Sequence, residues 1–240
     1  MKWEKIDSSE ALSVHAAALM LDSIRENPRI VLGLPTGRTP IGMYDHVVTE
    51  CAREYRCFSA VTTFNLDEYV GVPREHPGSY CTYMKQHLFD HVDLDPAHAH
   101  LPNGMAVDLD AECLRYESEI RESGGLDLTF LGLGRNGHIG FNEPGTPFDA
   151  HTRVVQLTES TRKANAEFFP GAAVPTHAIT MGIGTILESK RIVLLVAGSG
   201  KEAALERLRS GNVGEDFPAS ALWTHGDVTV LVSRESRPSP

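Results

Sequence analysis

The 240-residue chain is short of positive charge, with 22 lysines and arginines against 32 aspartates and glutamates and a formal net charge of −10. That balance argues against a broad electrostatic hold on nucleic acid or on an anionic membrane, so an anionic ligand has to be caught by a local site. Cysteine is sparse. Cys51, Cys57, Cys81 and Cys113 make no CxxC pair, and the opening MKWEKIDSSEAL lacks the apolar core of a secretory signal, so a reducing cytoplasm is the expected setting. The longest apolar run, residues 192–197, falls far short of the roughly 20 residues of a membrane helix, and a soluble protein is expected. With 21 glycines and 14 prolines the chain is neither low-complexity nor collagen-like, and 41% hydrophobic with 22% charged residues are globular proportions. No Ser/Pro-rich linker, repeat or charge block interrupts it, which favours one domain over residues 1–240.

What the chain does have is alternation. Asp7 with Glu10 has the spacing of a capping box, and Ala11, Val14, Ala18, Leu21 and Ile24 continue a helix that Asn27-Pro28 stops. Short apolar runs then predict strands at 30–34, 61–66, 126–133, 153–157, 191–196 and 228–233. Helices are expected from Pro40 to about 56 and over 80–91, 108–123, 158–169 and 199–210. The pattern predicts an α/β fold with a single doubly wound, mostly parallel sheet, helices on both faces, and ligands beyond the carboxyl ends of the strands.

Four polar or glycine-rich segments follow apolar strands: 34–40, 64–69, 132–145 and 198–201. In the first, Thr39 can cap a helix that begins at Pro40, leaving backbone N–H groups and the hydroxyls of Thr36 and Thr39 as an anion seat; an ordinary capped turn has the same residues. In the last, Lys201 enters a helix where a cation opposes the macrodipole unless an anion lies nearby. It is not a Walker A loop, because Leu195 stands where glycine is needed and Glu202 replaces the magnesium-binding Ser/Thr. Residues 132–137 match GxGxxG, with Glu159 about 20 residues on, but Gly140, Pro144, Gly145 and Pro147 break the helix that a dinucleotide site requires. That loop carries His138, Asn142 and Glu143. A loop histidine is often merely solvated, yet here it follows the most apolar strand, and a nearby carboxylate orients an imidazole and raises its basicity. Asp67 and Glu68 end the second strand beside Asn65 and Tyr69, and an acid crowded by another and partly desolvated holds its proton more tightly, as a base that removes a carbon-bound hydrogen requires. No HxxxH or CxxC spacing accompanies the acids and the 11 histidines are scattered, so no metal is expected.

The segments LGLPTGRTP (32–40), TFNLDEYVG (63–71), EHPGSY (75–80), LGLGRNGHIGFNEPG (131–145) and GIGT (182–185) resemble the glucosamine-6-phosphate deaminases, also called isomerases, in family order over most of the chain. The resemblance implies conversion of glucosamine 6-phosphate and water to fructose 6-phosphate and ammonia without a cofactor. His138, assisted by Glu143 and Asn136, would open the sugar ring; Asp67 would carry the C2 hydrogen to C1; Thr36, Gly37, Arg38, Thr39 and Lys201 would hold the phosphate. The partner implied is a phosphorylated amino sugar, with no nucleic acid and no membrane, in a cytoplasmic enzyme that is a possible homo-oligomer.

Three departures bear on this. Asn136 stands where some members carry Asp, and it can orient His138 but cannot accept a proton. Glu167 stands where the family commonly has a phosphate-contacting arginine, and a carboxylate there repels a phosphate dianion unless Arg162, Lys163 or Arg38 compensates or the substrate differs. A plain alternative is a surface ion pair between Lys163 and Glu167. Of the allosteric residues of larger members only Arg153 remains, with Thr146-Pro147 and Val155 at the other positions, so unregulated kinetics are expected. The alternatives are a deaminase or isomerase of another amino hexose phosphate, a 6-phosphogluconolactonase on the same scaffold, and a non-catalytic sugar-phosphate sensor. The lactonase leaves Asp67 unexplained, since ester hydrolysis needs no base at C2, and the sensor leaves His138 and Glu143 without a task.

Overall fold

The computed structural model describes residues 1–53, 57–171 and 173–234. The chain opens on a strand the sequence pattern does not announce, β1 (Lys2–Ile6), before α1 (Ser9–Glu26). The N-cap of α1 is Ser8, whose hydroxyl accepts the Ala11 N–H, in place of the expected Asp7, and the helix ends at Asn27 as predicted. Its inward stripe is partly turned from the expected one: Leu21 and Ile24 are buried as expected, together with Leu12, Ala16 and Met20, while Val14 and Ala18 face outward.

Next come β2 (Val31–Leu34), α2 (Ile41–Cys51), β3 (Thr62–Asn65), β4 (Asp67–Tyr69), α3 (Tyr80–His87), β5 (Ala99–His100), α4 (Leu109–Glu122) and β6 (Leu128–Gly132). β7 (Arg153–Gln156), α5 (Glu159–Ala164), β8 (His177–Thr180), α6 (Ile183–Leu187), β9 (Arg191–Val196), α7 (Glu202–Arg209) and β10 (Val228–Ser233) complete the elements that place the site. Two predicted helices are shorter than expected, their last turns tightening into 3₁₀ helices at Phe89–His91 and Ala166–Phe168. The predicted extension of α2 over 54–56 lies outside the described residues.

Seven strands form one sheet in the order β1-β10-β9-β6-β2-β3-β5, every neighbouring pair parallel. Alternate strand residues feed two cores: Leu32, Phe130, Val193 and Leu195 pack with α1 and α2, whereas Val31, Leu131, Ile192 and Leu194 pack with α4 and α7. The sheet is therefore covered by helices on both faces, the doubly wound arrangement expected. The correction is a second, antiparallel sheet, β4-β8-β7, to which the predicted strand at 153–157 belongs. Among the described residues no helix is long and apolar enough to cross a membrane.

β2 and β6 lie side by side at the middle of the large sheet, and the chain winds outward from them in opposite directions. Their closeness depends on Gly33, where an added Cβ would stand 2.4 Å from Oγ1 and 2.8 Å from Cγ2 of Thr129, whose hydroxyl is tied to Ser189 at 2.7 Å. Gly33→Ala is expected to cost about 1–3 kcal/mol as an overpacked core, read as a lower thermal midpoint.

Cys51 and Cys57 are joined in a disulfide, a pairing that the absence of CxxC spacing did not foretell, while Cys81 and Cys113 are free and buried.

Candidate active site

The carboxyl ends of β2 and β6 diverge where the winding reverses, and such a switch point leaves a crevice. A cleft of about 290 Å³ opens there, walled by the turns after β2, β3 and β6, by Lys201, and by residues 161–168 of α5 and its 3₁₀ continuation. Asp67, His138, Thr36, Gly37, Arg38, Thr39 and Lys201 all line it, and Asn136 and Glu143 stand behind His138. All nine site residues predicted from sequence are thus brought to one place.

The two adjacent acids have different surroundings because successive residues of a strand point to opposite sides. Glu68 accepts the N–H groups of Tyr69 and Tyr80 on Oε1 and of Cys81 on Oε2, each at 2.9 Å, and so anchors β4 to the start of α3. Asp67 faces the cleft. It is 5% exposed, and burial, reinforced by the Glu68 charge and opposed by a hydrogen bond from Thr36, pushes its carboxyl up from 3.8 to about 8. Gly140 turns the chain beside it at φ 56°; a Cβ there would be in ordinary contact with Asp67 Oδ2 at 3.5 Å and tight against Thr180 Oγ1 at 3.2 Å.

His138 is the end of a chain of polar groups. Asn136 Oδ1 lies 2.7 Å from His138 Nδ1 and 3.2 Å from its backbone N–H, while Asn136 Nδ2 donates to Glu143 Oε2 at 2.6 Å. Glu143 can only accept, so its partner atom in Asn136 is the NH₂ group, and the amide oxygen left for His138 can only accept as well. Nδ1 must then carry the proton, and Nε2 is the basic nitrogen. Burial holds the imidazole below its ordinary proton affinity, Glu143 pulling it up and Lys201 pushing it down, so the ring is neutral near pH 7. The ring lies flat on Gly134, where a Cβ would come within 2.4 Å of it, and Gly137 turns the chain at φ 87°.

The residues expected to hold a phosphate depart from expectation in one detail. Pro40, not Thr39, is the N-cap of α2 and makes no side-chain capping hydrogen bond; Thr39 is left to line the cleft, and among the described residues no side chain caps the first-turn N–H groups. The turn itself is braced from below, Tyr44 Oη donating to the Pro35 carbonyl and Tyr83 Oη to the Gly37 carbonyl, each at 2.6 Å. Lys201 donates from Nζ to the Leu133 carbonyl, and burial followed by the Arg135 charge lowers its proton affinity. Glu167 pairs with Arg38, Nε to Oε1 at 2.7 Å, whereas Lys163 pairs with Glu159, so the expected Lys163–Glu167 pair is not formed.

One contributor was not singled out from sequence, and a second was noted there only as a remnant of the larger members' allosteric residues. Thr161 Oγ1 donates to Glu143 Oε1 at 2.6 Å, tying the wall formed by α5 to the histidine chain. Arg153 donates to Asn142 Oδ1 at 2.8 Å and to Thr146 Oγ1 at 3.2 Å, while Asn142 Nδ2 reaches the carbonyls of Ile139 and Met181, so this half-buried arginine braces the loop that carries Glu143. Their partners are 7 to 18 residues away, across a loop that local spacing rules do not describe.

A parallel sheet with its crevice at the β2/β6 switch, a buried carboxyl facing it and a tautomer-fixed histidine are the makings of an α/β enzyme site. The chain belongs to the glucosamine-6-phosphate isomerases/6-phosphogluconolactonase family, whose model matches residues 4–231. It is 51% identical to glucosamine-6-phosphate deaminase 1 of Bacillus subtilis (strain 168), with 98% of each chain covered, and 50% identical to the glucosamine-6-phosphate deaminase of Bacillus pumilus (strain SAFR-032), with 97% of each covered. A solved structure described as a monomeric glucosamine-6-phosphate deaminase is 50% identical over 98% of both chains, with a TM-score of 0.95. The 6-phosphogluconolactonase of Trypanosoma cruzi shares the fold, with a TM-score of 0.80 at 20% identity over 98% of this chain and 95% of that one.

Proposed function

We propose that the protein is a glucosamine-6-phosphate deaminase, acting as a cytoplasmic enzyme without metal or organic cofactor. The observation that carries this is Asp67, a carboxyl pushed up to about 8 and facing the same cleft as a histidine whose basic nitrogen is fixed. The residues from Thr36 to Thr39 and Lys201 hold the phosphoryl group at one end of the cleft. His138 Nε2 takes the proton from the C1 hydroxyl and returns it to the ring oxygen, which opens the pyranose to the aldehyde. Ionised Asp67 then removes the hydrogen on C2, the electron pair forms the C1–C2 double bond, and the carbonyl oxygen is protonated to give an enolamine. Asp67 returns the hydrogen to C1, the nitrogen lone pair forms a ketiminium at C2, and water replaces it as ammonia. The aldehyde is the electron sink, so the chemistry requires no further group. Every side chain named comes from one copy of the chain, and a homo-oligomer is compatible with the scheme without being needed by it.

Ammonia release from glucosamine 6-phosphate, galactosamine 6-phosphate and unphosphorylated glucosamine, measured beside hydrolysis of 6-phosphogluconolactone, tests the assignment. The expected result is ammonia from the phosphorylated amino hexose and at least tenfold less from the sugar without phosphate, since charge-assisted contacts to a phosphoryl group exceed about 1.4 kcal/mol. Lactone hydrolysis with no ammonia from any substrate overturns it.

A further inference from the structure

The charge reversal at position 167 plays no part in the steps above, and its partner is a phosphate-side residue. Arg38, on the turn after β2, reaches across the cleft mouth to Glu167 in the 3₁₀ helix Ala166–Phe168, with Nε–Oε1 2.7 Å and Nη2–Oε1 2.5 Å. Both side chains are exposed, 75% and 44%. Arg135, by contrast, forms no ion pair with any of the described residues. It lies over the glycine turn that leads into α7, 3.3 Å from where a Gly200 Cβ would be, and close enough to Lys201 to lower that residue's proton affinity. A second cavity of about 520 Å³ adjoins the cleft, is bordered by Arg135, and shares Arg38, Thr39 and Lys201 with it. A phosphoryl group seated between the two turns thus has cations on both sides, one already neutralised by a carboxylate and two crowded together without one.

We propose that Glu167 is a specificity-determining residue that competes with the substrate's phosphoryl group for Arg38, and that Arg135 beside Lys201 carries the phosphoryl charge Arg38 gives up. The inference rests on the phosphoryl-binding part of the proposed function. A carboxylate and a phosphoryl group seek the same in-plane N–H donors of a guanidinium, and Glu167 already takes Nε and Nη2, so Arg38 cannot serve both fully. If the ligand takes Arg38, Glu167 is left unpaired beside a dianion; if it does not, the contact is lost. Because the pair is solvent-exposed and individually weak, the competition is expressed as a raised KM and not as a blocked site. Two cations held together on the other turn are the arrangement that an anion relieves.

Inorganic phosphate is the binding probe, followed by calorimetry, and glucosamine 6-phosphate the turnover probe. In Glu167→Gln the phosphate Kd and the sugar-phosphate KM are expected to fall together by about three- to fivefold, the range of an exposed ion pair, with a smaller change in kcat. Arg135→Gln is expected to raise both by about tenfold, as loss of one charge-assisted contact does. Arg38→Met is expected to weaken phosphate binding more in the Glu167→Gln background than in the unaltered chain, because only there is the guanidinium free. An unchanged or weaker phosphate affinity in Glu167→Gln, an equal effect of Arg38→Met in both backgrounds, or no saturable phosphate binding in any variant overturns the proposal. The Kd shifts without turnover of any amino-sugar phosphate would retain this proposal and overturn the assigned reaction; turnover without the Kd shifts would do the reverse.

Discussion

Asp67→Asn is expected to fold, to bind glucosamine 6-phosphate, and to release ammonia about 10³- to 10⁴-fold more slowly, the size of a lost general base. An amide is nearly isosteric with the acid but cannot take a proton from carbon. Retention of more than a tenth of the activity would remove Asp67 from the reaction. The pH dependence follows from the same environment. Only the ionised form is a base, and its carboxyl sits at about 8 in the free enzyme, so kcat/KM is expected to climb with pH to a plateau above about 8. The substrate's ammonium at C2 favours the ionised acid, so the corresponding limb of kcat lies at lower pH. Stability runs the opposite way. The folded value lies above the unfolded 3.8, so the contribution from keeping the proton is fully present below pH 4 and is lost as pH rises through about 8. That displacement corresponds to at most about 6 kcal/mol. Asp67→Asn is therefore expected to raise the thermal midpoint at pH 9 much more than at pH 5, and an equal change at both would show that the acid is not buried in its charged form at high pH.

Asn136→Leu is expected to lower kcat by about 10²- to 10³-fold while substrate affinity is kept, because it frees the imidazole to place its proton on either nitrogen and to rotate. Asn136→Asp is the informative companion. An aspartate can accept from Nδ1–H as the asparagine does, but it would face Glu143 at a spacing now of 2.6 Å, where two carboxylates share a proton. Its activity is expected to exceed that of the leucine variant and to fall as pH rises, when the shared proton leaves and the two acids repel. Equal kcat for wild type and Asn136→Leu, from stopped assays with excess substrate, would mean that the amide only fills space.

The large sheet was legible because its inner strands are buried on both sides and read as unbroken apolar runs, as at Arg191–Val196 and Val228–Ser233, whose observed bounds coincide with the expected ones. β1 was not, since Lys2, Glu4 and Lys5 give an edge strand the composition of a solvated leader. The small sheet was hidden by length: β4 has three residues, and only pairing with β8, more than a hundred positions away, makes it a strand. At the site, glycine and proline spacing marked the turns and left the right side chains there. The family resemblance picked Asp67 of the two adjacent acids, but local spacing did not, because Glu68 is committed by backbone N–H groups of a helix that begins 12 residues later. The Arg38–Glu167 pair, 129 residues apart, is visible only once the β2 turn and the α5 wall meet.

The small sheet has a bearing on chemistry beyond its size. Thr180 of β8 stands opposite Asp67 in one ladder and opposite Arg153 in the other, and its hydroxyl receives the N–H of Phe141, three positions past His138. The strand that carries Asp67 and the loop that carries His138 are thus both held to a single threonine. Under the proposed reaction, a change at Thr180 would therefore disturb the acid at position 67 and the imidazole at position 138 together.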